Sequence, residues 1–221
     1  MPLYIVSTPI GNLKDITLRA LDVLKEADIV VAEDTRRTGV LLHHYDIIGK
    51  KLVSFNDFNK EKRTPFIIEE LKKERNVALV SDSGTPAISD PGFYIVREAI
   101  RNDVQPIPIP GPTAAISALV ASGFPTESFV FYGFIPKKEK AKREFFEEIN
   151  NNHKTTILYE SPHRISKTLE LLAETIPERE ICIAREITKK FEEFIRGTAQ
   201  EVFQQLKDKT IKGEITIIIS K

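Results

Sequence analysis

The chain has 221 residues, of which 41% are hydrophobic, enough for the cores of one large domain or two small ones. Its 32 basic residues balance 32 acidic ones, so no overall charge draws it to nucleic acid or to an anionic membrane. Any such attraction must come from a local patch. A single cysteine and four histidines make no convincing zinc site, and we expect Cys182 to pack as a small apolar side chain in a strand.

No apolar run approaches the length of a membrane span, and the amino terminus enters a predicted strand without a charged leader. These features predict a cytoplasmic protein. No internal repeat or low-complexity tract interrupts the chain.

In the first half, apolar runs and helical patterns alternate. Short apolar runs predict strands at 3–8, 29–32, 52–55, 77–80 and 106–109. Apolar residues at helical spacing predict helices at 17–27, around 40–42, at 64–73 and at 93–102. This alternation is typical of a mainly parallel sheet covered by helices.

The pattern restarts after Thr113, with a helix that ends at Ser122 because Gly123 and Pro125 follow. Further strands are predicted at 129–132, 155–159, 180–185, 193–196 and 215–219, and further helices at 138–151, 166–175 and 199–207. The close spacing of strands after Ala184 indicates a mixed sheet. We therefore predict two α/β domains, 1–112 and 113–221.

The loop 81–92 is the most unusual stretch of the chain. It leaves the carboxyl end of the predicted strand 77–80 and is rich in glycine, proline, serine and aspartate. Those residues also form ordinary turns, which is the alternative interpretation. A second irregular joint, 107–115, again follows a strand and precedes a helix. Because ligands bind at the carboxyl ends of strands in open α/β sheets, the two joints predict one ligand site.

Common catalytic motifs are missing from the sequence. It contains no Gly-x-x-x-x-Gly-Lys-Ser/Thr phosphate loop, no dinucleotide-binding glycine spacing after the first strand, and no Gly-x-Ser-x-Gly elbow. A nucleotide hydrolase, a dehydrogenase or an esterase therefore has little support. Small residues at the strand ends instead let backbone amides approach a ligand closely.

Seven motifs in a fixed order resemble the tetrapyrrole methylase superfamily, most closely its members that methylate ribosomal RNA. They are STPIGNLKDIT at 7–17, AEDTR at 32–36, SDSGTPAISDPG at 81–92, PGP at 110–112, YESPHR at 159–164, AREITK at 184–189 and KGE at 212–214. The resemblance covers nearly the whole chain.

The resemblance implies a methyltransferase of two α/β domains with S-adenosylmethionine in the cleft between them, no metal, and a homodimer. It implies methylation of a cytidine ribose 2′-hydroxyl in small-subunit (16S) ribosomal RNA, either free or in the assembled subunit. The positions that match cofactor contacts of the family are Pro9, Ile10, Ser83, Gly84, Thr85, Ile88, Thr113, Ala114, Tyr159, Glu160, Ala184 and Ile187.

A ribose hydroxyl is a poor nucleophile until a carboxylate or an imidazole accepts its proton. The candidates are Glu33, Asp34, Glu160 and His163. By motif match we favour Glu33 as the base, with Asp34 fixing Arg36 against a substrate phosphate. In the structural alternatives, Asp34 caps the following helix and Glu160 pairs with an arginine four residues later, Arg164 in this sequence.

The basic run 137–143 opens a predicted helix. Most such runs are solvated helix faces, but cations at a helix amino terminus oppose the macrodipole, and a phosphate partner would explain them. Two other functions remain open, a methyltransferase of the same fold acting on a tetrapyrrole or another small metabolite and a non-catalytic cofactor-binding module on the ribosome. Members of the family that act on small molecules carry Gly-x-Gly-x-Gly-Asp where this chain has STPIGN at 7–12. This difference favours an RNA substrate over a tetrapyrrole.

Overall fold

A computed structural model describes residues 2–221, which form two compact units, the first ending at Thr113 and the second spanning Ala114–Lys221. The strands are β1 (Leu3–Val6), β2 (Ile29–Ala32), β3 (Lys51–Ser54), β4 (Val77–Val80), β5 (Pro106–Ile109), β6 (Phe129–Phe134), β7 (Thr155–Glu160), β8 (Glu180–Arg185), β9 (Glu193–Thr198) and β10 (Ile215–Ile219). The α-helices are α1 (Leu18–Glu26), α2 (Thr35–His44), α3 (Lys60–Lys72), α4 (Gly92–Arg101), α5 (Ala114–Ser122), α6 (Glu139–Asn150), α7 (Ile165–Thr175) and α8 (Ala199–Leu206).

The first unit is built on a five-stranded parallel sheet with strand order β3-β2-β4-β1-β5. Every residue of β2 and β4 is buried because helices cover both faces of the sheet. Side chains alternate between faces, so Ile29 and Val31 pack with residues of α3 and α4, whereas Val30 and Ala32 pack with residues of α1 and α2. All five carboxyl ends therefore lie along the same edge of the sheet.

The second unit is built on a mixed sheet with strand order β6-β7-β10-β8-β9. Its larger core lies on the face covered by α6, α7 and α8, and α5 contacts β7, β8 and β10. Both β7 and β8 run antiparallel to β10, so Ile215 at the start of β10 pairs with both Glu160 and Arg185. The loops that leave β7 and β8 thus lie at one edge of this sheet.

Two α/β units, one parallel and one mixed, confirm the predicted fold class. Several predicted bounds were wrong. The first strand ends at Val6 because Thr8 pairs with Gly84 instead of extending the ladder. Helix α3 begins at Lys60, before the predicted start, and contains Pro65. Strand β6 continues past the predicted end at Tyr132 through an irregularity in its pairing with β7.

Cys182 is fully buried in β8 and has no disulfide partner, which confirms the sequence interpretation. Within residues 2–221, no helix combines the length and the apolar character needed to cross a membrane.

Candidate functional site

In the first unit, the loops after β1 and β4 are joined by hydrogen bonds. Thr8 and Gly84 exchange both backbone bonds, with nitrogen to oxygen distances of 2.9 and 3.1 Å. The Thr8 hydroxyl also donates to the carbonyl of Ser81 at 3.2 Å. These contacts are possible because β1 and β4 are neighbours in the sheet, and they fix the backbone of both loops relative to each other.

A chain of hydroxyls extends these contacts to the loop after β5. The Thr85 hydroxyl donates to the Pro112 carbonyl at 3.1 Å, so the Ser7 hydroxyl, 3.0 Å from Thr85 Oγ1, is its donor. A Cβ added to Gly111 would lie 2.8 Å from Ser7 Cβ, closer than side chains pack. Three strand ends therefore come together through small residues.

Gly84 lies at the centre of this junction with φ at +82°, in the left-handed region that favours glycine. An added Cβ would approach Ile10 Cγ2 to 3.3 Å, and the Cα of Thr113 lies 4.0 Å from the same point. The structure thus brings together four of the residues predicted for the cofactor, since Thr85 adjoins Gly84. A larger side chain at Gly84 would fill the approach to this backbone.

The distal part of the loop is closed by Asp90. One of its carboxylate oxygens accepts the amides of Ala87 at 2.9 Å and Gly92 at 2.7 Å. This turn leaves Ser83 exposed and Ile88 43% exposed. Both are therefore accessible to a ligand.

Pro9, the remaining cofactor candidate of the first unit, is buried and lines a shallow pocket of about 130 Å³. The pocket lies at the ends of β1 and β4 and beside α2. Its lining residues are Pro9, Leu13, Arg37, Thr38, Val40, Leu41, Ser81 and Asp82.

At the end of β2, Asp34 is the amino-terminal cap of α2 and accepts the Arg36 amide at 2.9 Å. The Arg36 guanidinium donates to both oxygens of the same carboxylate, at 3.0 and 2.7 Å. These bonds hold the pKa of Asp34 well below its usual range, first through the Arg36 side chain. Both the predicted cap and the predicted contact with Arg36 are confirmed, and a carboxylate with so low a pKa is a poor proton acceptor.

Glu33 is half-buried and has the opposite electrostatic environment. Burial raises its pKa, the nearby charges of Asp82 and Asp90 raise it further, and a hydrogen bond from the Asp82 amide lowers it in part. A carboxylate whose pKa is raised binds a proton more readily. Of the two acids, Glu33 is therefore the better candidate for a general base.

Sequence reasoning missed Asp82. Its carboxylate accepts the backbone amide of Asp34 at 2.9 Å and lies 3.4 Å from the Arg37 guanidinium. It therefore connects the end of β4 with the turn that carries both acids. The aspartate was visible in the loop 81–92, but its partner depends on the adjacency of β2 and β4, which the sequence does not specify.

In the second unit, Glu160 ends β7 with a fully buried carboxylate. One oxygen accepts the Ser161 amide at 2.7 Å and lies 2.5 Å from Arg164 Nη2, which confirms the predicted pair. The other accepts the Thr168 hydroxyl at 2.6 Å and lies 3.9 Å from Lys142 Nζ. Glu160 is thus surrounded by donors from the protein itself.

Tyr159 and His163, in the same segment, are placed differently. Tyr159 is half-buried and meets the rings of Phe131 and Phe134 edge to face, with centroids 4.9 and 5.6 Å apart. His163 is exposed, and its amide donates to the Ser161 hydroxyl at 3.3 Å. The imidazole is therefore accessible to a substrate.

The loop after β8 is fixed by charges. Lys189 Nζ lies 2.9 Å from Glu186 and 3.0 Å from Glu214, and the carboxylate of Glu186 accepts the Glu214 amide at 3.0 Å. Burial opposes ionisation of Glu186, but these donors outweigh it and lower its pKa. The loop after β8 contains Ile187, which is 9% exposed. It follows Ala184, which is buried.

Ala114, the last cofactor candidate, begins α5 and is half-buried.

The basic run 137–143 differs from its predicted form. Lys142 is buried, and its ammonium group donates to Thr168 Oγ1 at 2.8 Å, so it is not part of an exposed cationic face. Arg143 lies 2.8 Å from Glu174. The spacing of Lys142, Phe146 and Ile149, which share the buried face of α6, was the available signal. Lys137, Lys138 and Lys140 remain exposed.

No group of three or more histidine, cysteine, aspartate or glutamate side chains among residues 2–221 is arranged to hold a metal ion.

Comparison with known proteins gives concordant results. Residues 2–202 match the sequence profile of the family described as tetrapyrrole (corrin/porphyrin) methylases. Over 98% of its length, the chain is 50% identical to the ribosomal RNA small subunit methyltransferase I of Halalkalibacterium halodurans, of which it covers 75%. It is 48% identical to the protein of that name from Hydrogenobaculum sp., covering all of the chain and 96% of the relative. The Bacillus subtilis protein is 47% identical over 98% of the chain and 74% of its own length.

Among solved structures, the chain resembles uroporphyrin-III-C-methyltransferase from Thermus thermophilus, with a TM-score of 0.65. The alignment covers 98% of this chain and 93% of that one, at 22% sequence identity. At this identity the likeness concerns the fold alone.

Proposed function

Because this chain belongs to the tetrapyrrole methylases, and within them to the family of ribosomal RNA small subunit methyltransferase I, we propose that it is an S-adenosylmethionine-dependent methyltransferase acting on small-subunit ribosomal RNA. More specifically, we propose that it methylates the ribose 2′-hydroxyl of a cytidine in 16S RNA. The observation that carries the proposal is the similarity, over nearly the whole chain, to proteins named ribosomal RNA small subunit methyltransferase I. The assignment of the ribose proton is supported by half-buried Glu33 at the end of β2, in the turn that Asp82 links to the glycine-containing loop after β4.

The junction of small residues around Gly84 fits a cofactor that is held by close backbone approach. Added Cβ atoms at Gly84 and Gly111 would fill the space next to Ile10 and Ser7. We propose that the first unit binds the cofactor with Pro9, Ile10, Ser83, Gly84, Thr85, Ile88 and Thr113, and the second with Ala114, Tyr159, Ala184 and Ile187. When bound, S-adenosylmethionine supplies an electrophilic methyl group.

The residues at the end of β2 would prepare the nucleophile. Glu33 accepts or orients the proton of the ribose hydroxyl, a role that its raised pKa favours. Asp34 holds the Arg36 guanidinium through two hydrogen bonds, and Arg36, whose side chain is 89% exposed, binds a substrate phosphate. Exposed His163 is a second candidate for a substrate contact.

The decisive experiment compares Glu33→Gln with the parent in single-turnover assays. Saturating labelled S-adenosylmethionine is mixed with deproteinised 16S RNA or assembled small subunits, and the methylated nucleoside is mapped. We expect Glu33→Gln to retain cofactor binding and to lose about two to four orders of magnitude in rate, the range typical of a general base. Asp34→Asn should mainly weaken RNA binding.

Equal rates for Glu33→Gln and the parent would remove the base assignment, and a methylated base in place of a methylated ribose would remove the 2′-O assignment. Methylation of a porphyrin precursor without methylation of RNA would favour a small-molecule enzyme. Cofactor binding without turnover on any substrate would favour a non-catalytic module. We further propose that the protein is cytoplasmic and forms a homodimer. Light scattering on the purified protein tests the oligomeric state.

A further inference from the structure

The buried charges around Glu160 connect four elements of the second unit. Lys142 comes from α6, Thr168 from α7, Glu160 from the end of β7, and Arg164 from the loop between β7 and α7. Arg164 Nη1 also donates to the carbonyl of Ile135, directly after β6, at 3.1 Å. We call Glu160, Lys142, Thr168 and Arg164 the Glu160 network.

The carboxylate of Glu160 has little capacity left for an outside ligand. An ionised carboxylate offers about four acceptor positions. Three are taken by the Ser161 amide, Arg164 and the Thr168 hydroxyl, and the ammonium group of Lys142 lies at 3.9 Å from the same oxygen that Thr168 contacts. The side chain has 0% exposure. Because the side chain is fully buried, a cofactor could reach the one remaining acceptor position only if the surrounding side chains moved.

The buried ammonium group of Lys142 has its polar contacts within the Glu160 network. Its side chain is 7% exposed, and burial lowers its pKa, which the charge of Glu160 raises in part. Its hydrogen bond goes to Thr168 Oγ1, and the proton of that hydroxyl points to Glu160, so Thr168 transmits the contact. Removing the anion would leave two cations, Lys142 and Arg164, near each other without compensation, which is strongly unfavourable in a buried site.

We propose that Glu160 is a positioning residue: with Lys142 and Thr168 it fixes the segment 159–164 in its binding conformation, instead of contacting the cofactor through its carboxylate. This rests on the proposed function, since it takes that segment to contact S-adenosylmethionine. In this segment Tyr159 is half-buried and His163 is exposed, so a ligand can reach both without contacting the Glu160 carboxylate.

The test uses Glu160→Gln, Lys142→Met and the double variant in the full chain, with Lys167→Met as a control. Lys167 is an exposed lysine next to Thr168 on α7. Its replacement also removes one positive charge, but without breaking a hydrogen bond of the Glu160 network. S-adenosylmethionine affinity is measured by calorimetry on folded protein and stability by urea unfolding. Hydrogen exchange is measured at the amides of Ser161, His163 and Arg164 in the absence of ligand, since Pro162 has no amide hydrogen.

We expect Glu160→Gln to weaken S-adenosylmethionine binding about tenfold and Lys142→Met about threefold, because each loosens the segment without touching the ligand. The double variant should bind at least about threefold more tightly than Glu160→Gln, since it removes the uncompensated ammonium group. The amides of Ser161, His163 and Arg164 should exchange faster in Lys142→Met than in the parent or Lys167→Met.

Several results would overturn the proposal. A double variant that binds no better than Glu160→Gln identifies the carboxylate as a direct ligand. If S-adenosylmethionine affinity is unchanged in all folded variants and only the urea unfolding midpoint is lowered, the Glu160 network contributes to stability alone. Unchanged exchange at Ser161, His163 and Arg164 in Lys142→Met excludes positioning. If the parent itself does not bind S-adenosylmethionine, the proposed function fails, while the exchange measurement still decides whether the network fixes the segment.

Discussion

The two units fix their strand-end loops by different means. In the first unit, Thr8 pairs with Gly84 through backbone groups and the Thr85 hydroxyl donates to the Pro112 carbonyl, with glycine where the packing is tightest. In the second, Glu160 and Glu186 organise the loops after β7 and β8 through ion pairs with basic side chains. The first arrangement depends on volume and the second on charge, so substitutions of each kind should act on different units.

The acids of the two units also differ in their surroundings. Glu160 and Glu186 are close to cations, whereas the charged neighbours that shift the pKa of Glu33 are the acids Asp82, Asp90 and Asp57. Paired carboxylates stabilise a loop, and a carboxylate among other acids is destabilised in its ionised form. The first unit thus holds Glu33 where its ionised form is disfavoured, and the second holds Glu160 and Glu186 where cations pair with them.

The largest effect is expected from volume in the first unit. Gly84→Val should weaken S-adenosylmethionine binding at least about a hundredfold, because the new side chain would meet Ile10 and close the backbone surface. Gly49→Ala is the matched control, since Gly49 has φ at +73° and nothing within 4 Å of its added Cβ. Both substitutions place a side chain at a positive φ, but only the one at Gly84 fills space beside a neighbouring residue. Calorimetric measurement of S-adenosylmethionine affinity for both variants therefore separates the effect of backbone strain from the effect of lost space. Equal losses in the two would show that the space beside Gly84 is unimportant.

A smaller effect concerns the stability of the first unit. Below the ordinary pKa of a glutamate, Glu33 is protonated in both the folded and the unfolded state, and its charge has no effect. Above its raised folded pKa it is ionised in both states, and the folded state carries the unfavourable desolvation and repulsion. Glu33→Gln should therefore increase the free energy of unfolding at neutral pH, and the increase should disappear as the pH falls below the ordinary pKa.

Urea unfolding at a series of pH values measures this difference. Asp22→Asn, on the exposed side of α1, is the control for the loss of a negative charge. A gain in stability that is the same at acidic and neutral pH would show that the raised pKa of Glu33 is not its cause.

The smallest effect is expected on the salt dependence of RNA binding. Its measurement tests which unit contacts the phosphates. Neutralising Lys137 and Lys138 together should reduce the slope of log affinity against log salt by roughly one to two units if both contact RNA. The matched pair in the first unit is Arg36 and Arg37, whose side chains are 89% and 66% exposed. An unchanged slope for either pair would remove that pair from the RNA contact.

Much of the fold follows from local sequence pattern. The apolar runs Ile29–Ala32 and Val77–Val80 predict buried parallel strands, and parallel strands place their following loops at one edge. The meeting of the β1, β4 and β5 loops could therefore be expected. The particular hydrogen bond from the Asp34 amide to the Asp82 carboxylate could not, because it depends on how individual side chains pack at that edge.

The basic run shows a different failure. A series of lysines suggests solvent exposure, but Lys142 lies on the same helical face as Phe146 and Ile149. Its burial depends on the presence of Glu160 and Thr168, which come from other elements. The lysine-rich composition of the segment therefore predicted a solvent-exposed Lys142, which was wrong. The helical spacing of Lys142, Phe146 and Ile149 predicts that the three share a buried face.

The bridge between Thr8 and Gly84 has a consequence for biosynthesis. Ser7 contacts a threonine 78 positions later in the chain, and that threonine contacts a carbonyl 27 positions further on. The amino-terminal motif therefore leaves the ribosome long before its partners are translated, and contacts so distant in sequence form late in folding. Cofactor cannot guide the early collapse of the nascent chain. On the proposed site, it can stabilise only a first unit that is already assembled, so cofactor binding at this junction reports that the first unit has folded.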